Sequence, residues 1–271
     1  MQKLSPSGYD IQVITPQDYL EHRSSEDIIL VDVRRLVEYK AGHIPGAISM
    51  PFTNFIKMQG LALYPADADN LRRHLYESGI TKDKLVICYD NLHWRHASRV
   101  LYTLELLGYE RLAVLGATYD RYVELGYEVE RGTGEKSMGS VNEAGVAADY
   151  RYIITKETIL ELVNHKHDVT LVDTRAAADY VFGHIPTALN LPWQEVASSD
   201  KVFNLSKVEE FTKELGIRKD EPIIFYCEEG TSSSLVMYAF RQLGYKNTHT
   251  YLPSYSEWIS DPQLPVCREE D

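Results

Sequence analysis

One cysteine occupies a position from which it could act as a nucleophile. An apolar run ends at Tyr226, the next six residues read CEEGTS, and a helical pattern begins at Ser233. In a strand–loop–helix order, backbone N–H groups converge on the loop and the helix N-terminus adds partial positive charge. These dipoles should stabilise the thiolate of Cys227, and Gly230 lets the loop curl with a positive φ. The order predicts a reactive sulfur among hydrogen-bond donors. The alternative is a buried core cysteine.

The chain contains one segment twice. Residues 30–51 read LVDVRRLVEYKAGHIPGAISMP and residues 171–192 read LVDTRAAADYVFGHIPTALNLP. The residues that recur at one constant offset are Asp32, Arg34, His43, Ile44, Pro45, Ala47 and Pro51, and then Asp173, Arg175, His184, Ile185, Pro186, Ala188 and Pro192. A match of this length indicates two copies of one folding unit.

The two copies differ at the position of the nucleophile. Aligning the strands 86–89 and 223–226 places Asp90 of the first copy where Cys227 stands in the second. Cys88 then falls inside a strand, which predicts a core residue. The six residues after Asp90 read NLHWRH, and we expect this bulky segment to be ill-suited to a cradle of donors. It either faces a domain interface and walls the site there, or is simply a packed loop.

The repeated aspartate and histidine resemble parts of a Cys-His-Asp triad. Both also recur in the copy without a nucleophile, so we interpret Asp173 and His184 as structural residues. Arg34 and Arg175 also recur, so we expect them to form structural ion pairs with Glu38 and Asp179, respectively. We also expect Arg175 to lie near the loop of the second copy.

Each copy alternates strands with helices after a capping threonine, Thr15 or Thr155. The predicted strands are 28–33, 47–50, 85–89 and 111–115, and then 169–174, 188–191, 222–226 and 247–252. The predicted helices include 67–78, 206–215 and 233–243. This alternation predicts an α/β fold in which each unit is a mainly parallel sheet flanked by helices on both faces. We place an N-terminal domain at 1–130, a Gly-, Ser- and charge-rich linker at 131–149 and a C-terminal domain at 150–271.

Composition narrows the function classes. The 271 residues carry a net charge of −12, which argues against a nucleic-acid or anionic-membrane binder. We find no signal-peptide pattern at the N-terminus and no apolar run near the roughly 20 residues of a membrane helix. The three cysteines are far apart and lack zinc spacing, so we expect no metal and a reducing cytoplasm.

Together, the repeated Asp-x-Arg and Gly-His-Ile-Pro segments, the loop that starts at Cys227 and the closing segment 254–258 (SYSEW) resemble the tandem-domain rhodaneses. These are thiosulfate and 3-mercaptopyruvate sulfurtransferases, and the resemblance covers nearly the whole chain. It implies two rhodanese-like domains with the active site between them and an inert N-terminal domain. Cys227 would take a sulfane sulfur from a small donor, chiefly thiosulfate, and pass the persulfide sulfur to cyanide or a thiol.

The resemblance also implies the rest of the site and its partners. The candidate substrate-binding residues are Arg175, Glu228, Glu229, Gly230, Thr231 and Ser232. No cofactor is implied, because the sulfur is carried by the protein. We expect a monomer, with a thioredoxin-like reductant among the candidate acceptors.

The loop departs from both family patterns. Thiosulfate enzymes resemble Cys-Arg-Lys-Gly-Val-Thr and mercaptopyruvate enzymes resemble Cys-Gly-Ser-Gly-Val-Thr, whereas Glu228 and Glu229 follow the cysteine here. Two carboxylates should repel a dianion and oppose thiolate formation. 3-Mercaptopyruvate is therefore the alternative donor. A phosphatase would need Cys-x5-Arg, but Ser233 stands where that arginine would be. A regulatory or binding protein remains the alternative of a different class.

Overall fold

The computed structural model describes residues 11–133, 150, 153–165 and 169–268. In the first unit the strands are β1 (Gln12–Ile14), β2 (Ile28–Asp32), β3 (Ile48–Ser49), β4 (Ile56–Gln59), β5 (Ala62–Pro65), β6 (Leu85–Tyr89) and β7 (Leu112–Leu115). The helices there are α1 (Pro16–His22), α2 (Leu36–Ala41), α3 (Ala68–Glu77), α4 (Arg95–Leu106) and α5 (Tyr119–Glu124), with a 3-10 helix over Phe52–Phe55.

The second unit repeats this order in a shorter form. Its strands are β8 (Thr170–Asp173), β9 (Leu189–Asn190), β10 (Ile223–Tyr226) and β11 (Thr248–Thr250). Its helices are α6 (Lys156–His165), α7 (Ala177–Phe182), α8 (Trp193–Val196), α9 (Leu205–Glu214), α10 (Ser232–Gln242) and α11 (Ser254–Ile259). The predicted linker 131–149 lies outside the described residues from position 134 onward.

Two parallel sheets form the centres of the two units. The first has the strand order β1-β7-β6-β2-β3 and the second has the order β11-β10-β8-β9. Asp32 lies beside Tyr89 in one sheet, and Asp173 lies beside Tyr226 in the other. This shared register confirms the α/β prediction of two parallel sheets, and it makes Asp90 the structural counterpart of Cys227.

Helices cover both faces of the sheets. In β2, Ile29 and Val31 pack into one apolar cluster with α4, while Leu30 between them packs on the opposite side with Tyr19 of α1 and Tyr39 of α2. Such alternation is expected of strands that are buried on both faces. Cys88 is fully buried in β6, which confirms that it is a core residue.

The two units share one apolar core. Helix α4 of the first packs along α10 of the second, and residues of both helices belong to a single buried cluster. Every residue from Ser232 to Arg241 on α10 is buried. An amphipathic surface helix would leave one face in water, so this all-round burial shows that α10 is an internal element shared by both units.

The sequence did not reveal every element. Strand β1 joins the far edge of the first sheet beside β7, and β4 and β5 form a separate antiparallel hairpin that the second unit lacks in its described part. The predicted strands 47–50 and 188–191 are each only two residues long. Among the described residues, no helix combines the length and apolar character needed to cross a membrane.

Candidate active site

Cys227 lies directly after β10, at the start of the loop that leads into α10. Its Sγ accepts a hydrogen bond from the backbone N–H of Gly230 at 3.0 Å, and the residue is only 2 % exposed. Gly230 has a φ of +82°, and a Cβ there would collide with the carbonyl oxygen of Leu252. Only glycine therefore fits the turn that brings this N–H to the sulfur.

The start of α11 holds the beginning of the loop. The hydroxyl of Ser254 accepts the N–H of Cys227 at 3.2 Å, and the N–H of Tyr255 donates to the Cys227 carbonyl at 3.0 Å. Ser254 adopts a φ of +58°, which is uncommon for a residue other than glycine. This clamp was not predicted. Its signal in the sequence is the closing segment 254–258, one of the segments that carry the family resemblance.

The end of the loop is buried among hydroxyl groups. Thr231 and Ser232 are at most 5 % exposed, and the Ser232 hydroxyl lies 3.2 Å from that of Thr174 after β8. Helix α10 begins at Ser232, one residue earlier than predicted, so its N-terminus faces the loop. Ser233 and Ser234 follow with buried hydroxyls that have no hydrogen-bond partner among the described residues.

Arg175 lies beside the loop as expected, but the predicted ion pair with Asp179 is wrong. Its guanidinium folds back onto Asp173, with Nη2 2.7 Å from Oδ2, and also bonds the Gly183 carbonyl. Two parallel N–H groups match the carboxylate two residues earlier at the strand end, and the low dielectric of the buried turn strengthens that pair. Burial acts to lower the pKa of Arg175, but the bonds and charge of Asp173 outweigh it and raise the pKa.

The first unit shows the same arrangement. Arg34 pairs with Asp32, and Glu38 is paired instead with the neighbouring Arg35 at 2.8 Å. The expected pairing of the repeated arginine with Glu38 is therefore wrong for the same reason.

Glu228 and Glu229 give the mouth of the site its negative charge. The Glu228 side chain is 58 % exposed, with Oε2 3.4 Å from Nη1 of Arg175. Glu229 is partly buried, and this burial, followed by the charge of Glu228, raises the pKa of its carboxyl. Asp173 and Glu228 thus set two negative charges against the one positive charge of Arg175, so the arginine offers little net attraction to an incoming dianion.

The repeated histidine and aspartate are engaged in contacts within their own turns. His184 stacks on Tyr180 at 3.8 Å between ring centroids, and its Nδ1 lies 2.9 Å from the Tyr180 carbonyl oxygen. Asp173 is held by Arg175 in the buried turn described above. Neither residue makes a described hydrogen bond to Cys227, in line with their interpretation as fold-supporting residues.

The first unit retains a cradle at the corresponding position, contrary to expectation. Both carboxylate oxygens of Asp90 are satisfied by backbone N–H groups: Oδ1 by Leu92 and Trp94 and Oδ2 by Ala97, all within 2.9 Å. His93 and Trp94 adopt positive φ to form this turn. The bulky residues fit because the Trp94 side chain turns into the core, where its indole N–H bonds the Leu115 carbonyl. Backbone N–H groups of the loop therefore surround a side-chain acceptor in both units, a carboxyl group in the first and the sulfur of a cysteine in the second.

Side chains of the first unit reach the second at the site. His93 lies 5.8 Å from the Trp193 ring, and the Arg95 guanidinium lies over the same ring at 4.5 Å. Deeper in the interface, Nη1 of Arg99 donates to the Gly230 carbonyl at 3.1 Å. The contact of His93 with the second unit agrees with the interface prediction for the segment 91–96. Arg99 was not predicted, because a single arginine within an apolar helix resembles an exposed residue.

Comparison with known proteins identifies the protein family. Residues 15–124 and 155–261 each match the family model described as the rhodanese-like domain. The chain therefore belongs to the rhodanese-like family, with two copies of the domain.

Its relatives of similar length are sulfurtransferases. A 3-mercaptopyruvate sulfurtransferase of Escherichia coli K12 is 26 % identical over 91 % of this chain and 94 % of its own. A thiosulfate sulfurtransferase of Pseudomonas aeruginosa is 24 % identical over 94 % of this chain and 96 % of its own. These relatives place the chain in the sulfurtransferase family, and their names differ in the sulfur donor.

Solved structures show the same fold. The crystal structure of SseA from Escherichia coli, described as a 3-mercaptopyruvate sulfotransferase with the rhodanese fold, superposes with a TM-score of 0.78 at 24 % identity, covering 89 % of this chain and 97 % of its own. The Tum1 protein from Saccharomyces cerevisiae gives 0.78 at 17 % identity, with coverage of 96 % and 99 %.

Proposed function

We propose that this protein moves a sulfane sulfur from a small donor to a thiophilic acceptor through a persulfide on Cys227. The observation that carries the proposal is the Gly230 N–H aimed at Sγ from 3.0 Å, in a loop that ends at the N-terminus of α10. A preorganised donor and a helix dipole favour the thiolate, which is the nucleophilic form of cysteine. The N-terminal domain, placed at 1–130, is non-catalytic in this proposal because a carboxylate at Asp90 cannot carry sulfur.

The reaction consists of two displacements at sulfur. The Cys227 thiolate attacks the outer sulfur of thiosulfate, the S–S bond of the donor breaks, and sulfite leaves with the electron pair. With 3-mercaptopyruvate the C–S bond breaks instead, and the leaving enolate takes up a proton to give pyruvate. An acceptor, either cyanide or a thiolate, then attacks the terminal sulfur of the persulfide and releases the Cys227 thiolate. The thiol must stay reduced between cycles, which suits the cytoplasmic location that we expect.

The charge at the mouth of the site distinguishes the two donors. Thiosulfate carries two negative charges and 3-mercaptopyruvate carries one. Asp173 and Glu228 together outweigh the positive charge of Arg175, and Glu229 adds a further acid on the same loop. Like charges at short range raise the barrier to approach. Thiosulfate is the donor that the family resemblance first suggests. 3-Mercaptopyruvate is the alternative donor, and as a monoanion it is repelled less by Glu228 and Glu229.

Mass spectrometry of the intact protein tests the proposal. The protein is incubated separately with thiosulfate and with 3-mercaptopyruvate, beside a Cys227→Ser variant. We expect the wild type to gain the mass of one sulfur atom and to lose it when cyanide or a thiol is added, whereas the variant gains none. A wild type that gains no sulfur from either donor would contradict transfer chemistry and favour a regulatory role.

Phosphatase chemistry is disfavoured by the same loop. It requires an arginine that clamps the phosphoryl oxygens, but Ser233 occupies that position and its hydroxyl is buried. Hydrolysis of p-nitrophenyl phosphate that depends on Cys227 would overturn this exclusion.

A further inference from the structure

Arg99, on α4 of the N-terminal domain, is buried against the loop of the C-terminal domain. It is 0 % exposed. Nη1 donates to the Gly230 carbonyl at 3.1 Å and reaches the Leu252 carbonyl at 3.5 Å, while Nη2 donates to the Leu63 carbonyl of β5 at 3.1 Å. One guanidinium therefore joins the hairpin of the first domain to the nucleophile loop of the second.

Gly230 lies between Arg99 and the sulfur. Its carbonyl accepts from Arg99, and its N–H donates to the Sγ of Cys227 at 3.0 Å. A Cβ on Gly230 would collide with Nη1 of Arg99 as well as with Leu252, so guanidinium and loop are in direct contact. If the guanidinium moved, the Gly230 carbonyl would lose its hydrogen-bond donor. The Gly230 N–H would then be less firmly oriented toward the sulfur.

Arg99 also lacks the partner that a buried cation normally has. Across the described residues it forms no ion pair with a carboxylate, and its Nε has no hydrogen-bond partner. A buried guanidinium that bonds only neutral carbonyls keeps an uncompensated charge, which is costly. By contrast, Arg241 on the adjoining helix α10 is paired with Glu105 at 2.7 Å.

Burial works against the positive charge of Arg99, and titratable groups near it offset part of this cost. Burial lowers the pKa of Arg99 to about 10, and the largest opposing contribution is its interaction with Cys227, followed by Tyr150, Tyr102 and Glu229. An anion at Cys227 that stabilises the guanidinium is stabilised by it in return.

We infer that Arg99 is a positioning residue for sulfur transfer: the N-terminal domain supplies the counter-charge for the Cys227 anion and fixes the Gly230 N–H upon it. The inference deepens the proposed function, on which it rests for its effect on turnover. It gives the domain that has no nucleophile a direct part in the reaction, since α4 cannot present Arg99 unless the two domains are packed together.

The test measures the pH dependence of Cys227 alkylation, which requires no sulfur donor. Iodoacetamide modification is followed by mass spectrometry of the peptide that contains Cys227, because Cys267 is exposed and reacts independently. The variants are Arg99→Met, which removes the charge at similar length, and Arg99→Lys, which keeps the charge but has a single nitrogen.

In Arg99→Met we expect the pH of half-maximal alkylation to rise by about one unit or more, the usual effect of removing an opposite charge nearby. Sulfur transfer at neutral pH should fall by about tenfold, chiefly in kcat, and recover partly at higher pH. Arg99→Lys should show a smaller rise, and it carries the test if Arg99→Met does not fold.

Glu105→Gln is the matched control. It lies on the same helix, is buried and contacts the other domain, but it bonds Arg241 and Tyr238 rather than the loop. It should lower the melting temperature without moving the alkylation midpoint. If the Arg99 variants also lose only melting temperature and keep the wild-type midpoint, Arg99 is merely an interface residue and the inference fails. If the Arg99 variants show the expected rise in the pH of half-maximal Cys227 alkylation but the wild type accepts no sulfur, the inference about Arg99 stands and only the proposed function is contradicted.

Discussion

At the scale of single residues, the position that follows β6 or β10 distinguishes the two domains in the proposed function. Asp90 and Cys227 stand at the same register, and each accepts backbone N–H groups from the loop that follows. A carboxylate spreads its charge over two oxygens and has no bond that sulfur could replace. A thiolate is a soft nucleophile that can form and release an S–S bond. The two loops therefore share an arrangement of backbone N–H donors but differ in the reactivity of the group that accepts from them.

The acids at the mouth of the site should control the choice of donor. Replacing both, as Glu228→Arg with Glu229→Lys, should raise kcat/KM for thiosulfate about tenfold at low salt, because a dianion is then attracted rather than repelled. The gain should shrink as salt is added. Steady-state kinetics with cyanide as acceptor measures it.

Glu209→Lys with Glu210→Lys makes the same change in net charge on an exposed part of α9. This control should leave thiosulfate kinetics nearly unchanged. An equal gain in both double variants would show that overall charge, and not the loop, determines donor preference.

Thr187 has a strained backbone at a position where the first domain has glycine. Thr187 has a φ of +70° where the first domain has Gly46 at +78°. A β-branched residue is disfavoured in this region, whereas glycine adopts it freely. Thr187→Gly should therefore stabilise the protein by about 1 kcal/mol, and Gly46→Thr should destabilise it by at least as much. Thermal unfolding measures both, and a lower melting temperature for Thr187→Gly would contradict the strain argument.

At the scale of elements, the pair α4 and α10 joins the two domains. Glu105 of α4 accepts from Arg241 at 2.7 Å and from the Tyr238 hydroxyl at 3.1 Å, and Tyr102 of α4 accepts the N–H of Thr250 at 3.2 Å. All four side chains are buried. Because these polar groups on α4 are satisfied by α10 and β11, they fix the position of α4 against the second domain, where apolar contacts alone would allow sliding.

Glu105→Gln should destabilise the protein by about 2 kcal/mol or more, because the charge of Arg241 loses its buried counter-ion. Chemical denaturation monitored by far-UV circular dichroism checks this value. Glu124→Gln removes an exposed partner of Arg121 and should cost less than about 0.5 kcal/mol. Equal decreases in the free energy of unfolding in the two variants would show that the interdomain network stabilises the protein no more than an exposed ion pair does.

At the scale of the whole molecule, the shared core makes stability depend on buried groups in both domains. His249 on β11 is 1 % exposed, and burial, followed by the charge of Arg241, lowers its pKa to about 4. The ordinary value is near 6.5, so between these pH values the unfolded chain binds a proton that the folded chain does not. The contribution of His249 is fully present above about pH 6.5 and is lost as the pH falls toward 4.

His249→Gln should therefore flatten the decline of stability between pH 6.5 and 4, by up to about 3 kcal/mol over the window. Unfolding midpoints measured every half pH unit reveal the slope. The exposed His22 on α1 provides a comparison, because His22→Gln makes the same substitution outside the core. A His249→Gln profile parallel to that of the wild type would show that this histidine is not the acid-sensitive group.

Much of the architecture follows from local sequence. The fixed-offset repeat required two similar units, and alternating apolar strands and helices required parallel sheets, because strand and helix periods are set by backbone geometry within a few residues. The position of Cys227 after a buried strand could be predicted for the same reason. The hairpin of β4 and β5 was harder to predict, since the pairing of its strands rather than their own composition defines it. The strands predicted at 47–50 and 188–191 are present, but each is only two residues long.

The sequence by itself determined that this protein has two domains of one kind, that one loop carries a thiol and the other an acid, and that the thiol is flanked by Glu228 and Glu229. These properties are written in neighbouring residues. Only the tertiary structure decided that Arg175 pairs with Asp173, that Asp90 is cradled, and that Arg99 of one domain bonds Gly230 of the other. The last contact joins residues far apart in the chain and arises when α4 packs on α10. Burial then excludes water, and the lower dielectric strengthens the electrostatic interactions of the uncompensated charge of Arg99. No local sequence pattern encodes this effect.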